Sequence, residues 1–532
     1  MQTRNALLSI TMLLSIVVNC KRILIITPAP LHSHQLVFRP LWQALHKRGH
    51  ELVLITIPIN ATLSNYTEID FSFLKVTLHN EEFMSQHLSN SIWQVEKITL
   101  DLMNMINRET FEHPQVRQLY APESNEKFDL VIVDVMLGPA LCSFAYRFHA
   151  PLIGITSTEV YQYIRYLLGD LLLPSYPSNW EFDRNAGFNL PFWQRMTNYL
   201  EMLAYIYRWT YIYMPQQQEI ARKYLSANAG DLFDTIGNMS LLFLGRSFTF
   251  TYIKPKVPNI IYFDSLHVTK KPSPLPKNLK QFLDGATEGF VYMSLGSTIN
   301  SSCLPKEKLS VVVQAFTKLP YKILWKFEKE KPPRIPDNVF IMKWIPQQEV
   351  LAHPNIKVFV YQGGVQSTEE AIHFAVPLVG IPLMYDQGYT INRLFEKGVA
   401  RRLNYNNLSD TDLVNAIRDV FNDKQYKENM IRLSDLIKDK PVDDIEKLVW
   451  WIEHVMRYNG VPYMRYNGAD QPFYERYDTN IIAFLAIAIF MIIMILLFVL
   501  TECLYFIIRN RMLIYTTYKP GFHNMSVKEK TS

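Results

Sequence analysis

The sequence predicts an α/β protein of two doubly wound domains followed by a single membrane-spanning helix. Three observations carry that reading. Apolar runs of strand length alternate with amphipathic stretches in two separate series. A proline-rich seam from Val268 to Pro276 divides them, and such a stretch continues neither a helix nor a central strand. From Ile481 to Leu500 run twenty apolar residues without a charge, about the length a helix needs to cross a bilayer core.

In chain order, residues 1–20 carry Arg4 and an apolar run from Ala6 to Val18, the pattern of a cleaved signal peptide. The first domain is expected over residues 21–268. It opens with a strand from Arg22 to Thr27, an amphipathic helix from His34 to Arg48 stopped at Gly49, and a strand from Glu51 to Ile57. A buried strand from Phe128 to Asp134, a helix reaching Phe148 and a short strand around Leu152 to Ile155 follow. Residues 158–230 are rich in Tyr, Trp, Leu and Met at helical spacing, which fits either core packing or the lining of an apolar substrate site.

The linker is placed at residues 269–276 and the second domain at 277–460. Its strands are expected over Gly289 to Ser294, Lys322 to Phe327, Val339 to Lys343, Lys357 to Tyr361, Leu378 to Leu383 and Ala400 to Leu403. A last amphipathic helix is expected from about Pro441 to Arg457. Residues 461–480 lead to the span at 481–500, and 501–532 form a basic tail.

The chain has 532 residues, 48% hydrophobic and 19% charged, with net charge +5. This small excess is dispersed and forms no basic block, so no nucleic-acid partner is expected. Arg509, Arg511, Lys519, Lys528 and Lys530 follow the span, whereas Asp470, Glu475, Arg476 and Asp478 precede it. The basic side is expected in the cytosol, giving a single-pass type I protein whose bulk is lumenal. Sequons at Asn60, Asn65, Asn238, Asn300 and Asn407 then face the lumen, while Asn524 faces the cytosol. The closing Lys528-Glu529-Lys530-Thr531-Ser532 resembles a dilysine retrieval signal of the endoplasmic reticulum. Of the four cysteines, Cys142 and Cys303 lie outside the terminal segments, at no spacing that implies a disulfide or a metal site.

The chemistry concentrates between Trp344 and Gln387. An indole at Trp344 can lie flat on a base. Gly363-Gly364 open a helix whose backbone N–H groups and dipole favour a pyrophosphate. Glu370, one turn into that helix, can accept from ribose hydroxyls, and Asp386-Gln387 after an apolar strand offer an acceptor and an amide to a sugar. The segment reads as a nucleotide-sugar site.

In the first domain, His34 follows the first strand and Asp134 ends another. Strand carboxyl ends share one cleft in this architecture. A histidine can deprotonate an acceptor hydroxyl, and a carboxylate on its other nitrogen fixes the tautomer and supports the imidazolium. Each residue alone also fits a structural role, His34 as a polar helix start and Asp134 as a strand-end cap. Asp410-Thr411-Asp412 has the form of a metal-binding D-x-D, but it follows Ser409 at a helix start and is expected to be a cap. No metal is expected, and His353 and His373 have no assigned partner.

These motifs, with Ser33-His34, Arg48-Gly49-His50, Ser294-Leu295-Gly296-Ser297, the apolar span and the basic tail, resemble the membrane-bound animal UDP-glycosyltransferases, most of all their insect members. The resemblance covers almost the whole chain. It implies two Rossmann-like domains facing across a cleft in the GT-B manner, the first binding a small lipophilic acceptor and the second a UDP-sugar co-substrate. It implies inverting, metal-independent transfer with His34 as base and Asp134 as its partner. It places Trp344 and Gln347 at uracil, Glu370 at ribose, Asp386 and Gln387 at the sugar, and Gly296, Ser297, Gln362, Gly363, Gly364, Gln366 and Ser367 at the phosphates.

Two positions depart from the usual pattern. Gln362 stands where many members have histidine, and Tyr361 replaces a small or hydroxyl residue. The Tyr361 ring either crowds the phosphate pocket or turns into the core. The donor is expected to be UDP-glucose, because no Lys or Arg lies between Tyr361 and Tyr389 to meet a sugar carboxylate, although Arg246 could supply that charge from outside. UDP-glucuronate is the alternative donor. A non-catalytic homologue that binds ligands or a partner enzyme is the alternative class, and homo- or hetero-oligomers remain open. Detoxification in the endoplasmic reticulum membrane is the expected setting.

Overall fold

A computed structural model describes residues 20–58, 66–74, 92–173, 190–297, 301–329 and 335–517. Most of the expected signal segment, the sequons Asn60, Asn65, Asn300 and Asn524, and the retrieval-like tail lie outside them. Asn238 and Asn407 lie within and are exposed. One compact body ends at Ala469 and a second begins at Asp470.

The first body holds two all-parallel sheets. The first contains β1 (Arg22–Thr27), β2 (Glu51–Thr56), β3 (Tyr66–Asp70), β4 (Leu130–Asp134), β5 (Leu152–Thr156), β6 (Leu241–Gly245) and β7 (Ile260–Phe263), in the order β3-β2-β1-β4-β5-β6-β7. The second contains β8 (Phe290–Ser294), β9 (Lys322–Lys326), β10 (Val339–Met342), β11 (Ile356–Tyr361), β12 (Leu378–Gly380) and β13 (Ala400–Arg402), in the order β10-β9-β8-β11-β12-β13. Helices cover both faces of such sheets, which is why β4, β5, β6 and β8 are buried along their whole lengths.

Each sheet reverses its winding at one place, between β1 and β4 in the first and between β8 and β11 in the second. Crevices for ligands open beyond the carboxyl ends of strands at such reversals. The chain past β1 carries His34, β4 ends in Asp134, the chain past β8 carries Gly296 and Ser297, and the chain past β11 carries Gln362 to Gly364. These expected site residues therefore stand where the topology opens each sheet.

The terminal helix of this body, Asp444–Tyr458, belongs to the second series by sequence but packs on the first domain. Leu448, Val449, Ile452 and Val455 share a core cluster with Val37, Phe38, Leu41 and Leu45. The helix starts at Asp444 rather than Pro441 because the Asp443 carboxylate caps it, accepting from the Ile445 N–H at 2.9 Å. Ser409 and Asp412 form a reciprocal capping box on the Asp410–Asn422 helix, which accounts for the D-x-D pattern.

The second body contains the helix Thr479–Thr517, longer than the expected span. Its stretch Thr479–Ile514 includes 18 successive residues with a mean hydropathy of 3.4 and is long and apolar enough to cross a membrane.

Removing the fully buried Ile452 side chain tests the return of the last helix to the first domain. Ile452→Ala should lower stability by about 2–5 kcal/mol, the usual range for a large aliphatic truncated to alanine in a core, read as a lower melting temperature of the detergent-solubilised protein. An unchanged melting temperature would contradict this packing.

Candidate active site between the two sheets

On the first-domain side, the turn between β1 and the helix His32–Lys47 is pinned by Gln35. Its amide donates to the Thr27 carbonyl and, at 3.0 Å, to that of Ala29, while its oxygen accepts from Thr56 Oγ1 at 2.6 Å. His34 sits in the first turn of this helix, half-buried. Its Nδ1 lies 2.8 Å from the Ser157 hydroxyl, at the end of β5. Burial pushes the imidazole pKa down to about 4, so the ring is neutral and ready to accept a proton at neutral pH.

Asp134 ends the strand next to β1, as the sequence predicts. Its Oδ1 accepts from the Met136 N–H at 3.2 Å, and the buried Oδ2 has no hydrogen-bond partner among the described residues. Burial raises its pKa to about 7 against the opposing effect of the Met136 N–H. In this geometry the carboxylate closes its own strand end, and the ring of His34 is held by Ser157 instead.

On the second-domain side, Trp344 is 59% exposed, as an indole awaiting a flat ligand must be. The His32 ring meets it edge-on at 5.4 Å, and Lys326 Nζ lies 5.4 Å from its centre. Lys326 also donates to the Gly296 carbonyl at 2.8 Å and to Glu328 at 2.9 Å. Gln347 donates to Ser367 Oγ at 2.9 Å and to Glu370 at 2.6 Å, so three predicted donor-site residues form one cluster. Gln348 donates to the other Glu370 oxygen at 3.0 Å and to the His267 carbonyl at 3.2 Å.

His267 comes from the segment joining the domains, its side chain fully buried between Glu369 at 3.7 Å and Glu370 at 3.3 Å. Burial lowers its pKa, but the hydrogen bond and charge of Glu370 and the charge of Glu369 outweigh that and raise it. Glu369 is itself raised, chiefly by burial.

The phosphate loops are set by glycine geometry. Gly296 and Gly363 have φ of 88° and 99°, in the left-handed region where side chains are strained. A Cβ on Gly296 would come within 2.3 Å of the Gln362 amide nitrogen, so that amide lies directly against the loop after β8. The side-chain oxygen of Gln362, Oε1, is buried without a partner among the described residues. Gly364 precedes the helix Val365–His373, whose free N–H groups face the same end. Gln366 in its first turn donates to the Ser157 carbonyl at 3.1 Å, across the cleft. Ser297 is half-buried beside Gly296.

At the expected sugar position, Gln387 Oε1 accepts from the N–H groups of Leu383 at 2.9 Å and Met384 at 3.1 Å, which fixes the orientation of its side-chain amide. Burial raises the Asp386 pKa to about 6. The preceding Tyr385 has φ of 51°, a strained conformation of the kind found beside ligand sites.

Tyr361 turns into the core. It is fully buried, stacks on Phe359 at 5.0 Å and hydrogen-bonds Thr368 at 2.8 Å. In residues 158–230 much of the aromatic content is also core, with Tyr163 stacked on Trp209 at 5.4 Å. Trp193 and Tyr211 on the same helical segment are exposed. His353 pairs with Asp284 at 3.1 Å.

Sequence reasoning missed Ser157, His267, Gln348 and Lys326. Only Gln348 had a signal, as the neighbour of Gln347; the others reach the site by tertiary contact. Because the Tyr361 hydroxyl serves the core, Tyr361→Phe should cost about 0.5–1.5 kcal/mol, one neutral hydrogen bond, with Thr368 still bonded to the Gly364 carbonyl at 2.9 Å. The KM for the donor should stay unchanged; a markedly lower KM would mean that the hydroxyl had been obstructing the phosphates.

Residues 7–514 match the family model described as "UDP-glucoronosyl and UDP-glucosyl transferase". The chain is 32% identical over 468 residues to UDP-glucosyltransferase 2 of Dactylopius coccus, covering 86% of this chain and 88% of that one. It is 31% identical to an ecdysteroid UDP-glucosyltransferase of Spodoptera littoralis nuclear polyhedrosis virus, covering 82% and 88%. It is 28% identical to human UDP-glucuronosyltransferase 2B7, covering 88% and 91%. Among solved structures, the kitacinnamycin glycotransferase aligns with a TM-score of 0.54 at 17% identity, covering 82% of this chain and 98% of that one. Glycosyltransferase VinC in complex with DTDP aligns at 0.53 and 16%, covering 82% and 100%, a likeness of fold. With the family model spanning nearly the whole chain and a relative 32% identical over most of both chains, the protein belongs to the UDP-glucuronosyl and UDP-glucosyl transferase family and is a UDP-glycosyltransferase.

Proposed function

We propose that the protein transfers glucose from UDP-glucose to a hydroxyl of a small lipophilic acceptor, with inversion and without a metal. His34 Nε2 takes the acceptor proton as that oxygen attacks the anomeric carbon, and the bond from that carbon to the UDP oxygen breaks with its electron pair on UDP. Trp344 and Gln347 hold uracil, Glu370 the ribose, and Asp386 and Gln387 the sugar. Gly296, Ser297, Gln362, Gly363, Gly364, Gln366 and Ser367 surround the phosphates. Asp134 is assigned as the carboxylate that supports the imidazolium through its charge, while Ser157 keeps the contact with Nδ1.

The observation that carries this reading is the short path across the cleft. A neutral imidazole in the first domain and the helix beginning the donor site in the second meet on one residue, Ser157. Glucose is favoured over glucuronate because Arg246, the cation considered for a sugar carboxylate, is buried, ion-paired with Glu159 and bonded to the Tyr252 carbonyl. Two of the relatives named above are glucosyltransferases. The viral relative's ecdysteroid supports an acceptor of lipophilic kind. We place the enzyme in the endoplasmic reticulum membrane, with both sheets lumenal and the tail cytosolic, on the charge asymmetry around the apolar helix.

His34→Ala should lower turnover by about two to four powers of ten, the range for a general base, with UDP affinity unchanged in calorimetric titration; a near-normal rate would remove His34 from the chemistry. With UDP-glucose and UDP-glucuronate at equal concentration, product mass should show mainly glucoside. A mainly glucuronidated product would overturn the donor assignment.

A further inference from the structure

We propose that Ser157 is a positioning residue for the transfer, holding the His34 ring through Nδ1 and tying it to the donor half of the cleft through Gln366. The inference rests on the reading of His34 as the base.

The contacts define the role. The Ser157 hydroxyl lies 2.8 Å from His34 Nδ1, and its carbonyl accepts from Gln366 Nε2 at 3.1 Å. The residue is 2% exposed, so water does not compete for either contact. Its position is confined from behind by β6, where a Cβ on Gly245 would come within 2.4 Å of the Ser157 carbonyl oxygen. The loop after β5 is thus pressed against β6 on one side and bonded to both halves of the site on the other.

Tautomer selection follows from this arrangement. An imidazole with its proton on Nδ1 presents the Nε2 lone pair, whereas the other tautomer presents an N–H and cannot act as a base. In the proposed role the Nδ1–H donates to Ser157 Oγ, 2.8 Å away, which leaves Nε2 free. Among the described residues Asp134 makes no hydrogen bond to His34: its Oδ1 accepts from the Met136 N–H and its Oδ2 has no partner. Gln366 grips a backbone carbonyl, so the link between the halves survives a change of the Ser157 side chain.

A double-mutant cycle on the full-length, detergent-solubilised enzyme tests the role. Ser157→Ala should lower kcat about two- to ten-fold, the effect of one neutral hydrogen bond, with the KM for UDP-glucose and UDP affinity unchanged. In the His34→Ala background the same substitution should have no further effect, because a residue acting through the ring has nothing left to act on. A normal rate in Ser157→Ala beside a slow His34→Ala would overturn the positioning role alone. An equal loss in both backgrounds, or a loss confined to melting temperature, would make Ser157 merely structural. A normal rate in His34→Ala would remove the base reading and this role with it, an outcome distinct from the others.

Discussion

Burying both faces of a parallel sheet leaves only strand ends free for chemistry, and the rest of this protein is arranged around that constraint. Each sheet opens where its winding reverses, and the two openings must face each other for a proton acceptor and a sugar donor to meet. The helix Asp444–Tyr458 helps to hold them there. By returning from the second series to the core under the helix His32–Lys47, it ties the two domains together with buried aliphatic contacts rather than by the linker alone.

The donor half shows how a polar site is held in a dry setting. Two adjacent glutamates, Glu369 and Glu370, lie buried, and isolated charges there would be costly. His267 between them and the amides of Gln347 and Gln348 supply the compensating hydrogen-bond donors and charge. The consequence is orientation. Glu370 is held by His267 and Gln348 as well as by its own helix, so its orientation depends on the segment that leads out of the first sheet.

The first-domain half works in the opposite direction, keeping charge out. Burial leaves His34 neutral, and the same burial raises Asp134. A hydroxyl on Nδ1 orients the imidazole without the strong pull of a carboxylate, so the resting ring stays unprotonated across the neutral range. In the proposed mechanism, proton transfer creates charge only while the acceptor oxygen is reacting.

By itself the sequence determined the two αβ series, their seam and the apolar span, because strand and helix periodicity and proline are local signals. The proposed donor box was also legible, since Trp344, the paired glycines, Glu370 and Asp386-Gln387 lie close together in the chain. β3, β6 and β7 were not legible: β3 carries Glu68 and Asp70, β7 is a four-residue strand, and β6 follows a long segment of helical spacing. Only the tertiary structure decided that Tyr361 belongs to the core, that the last helix serves the first domain, and that Ser157 reaches His34. Each of these depends on which surfaces meet across large sequence separations. The contact between Gln366 and Ser157 joins residues 209 positions apart, a relation set by packing that no local pattern encodes.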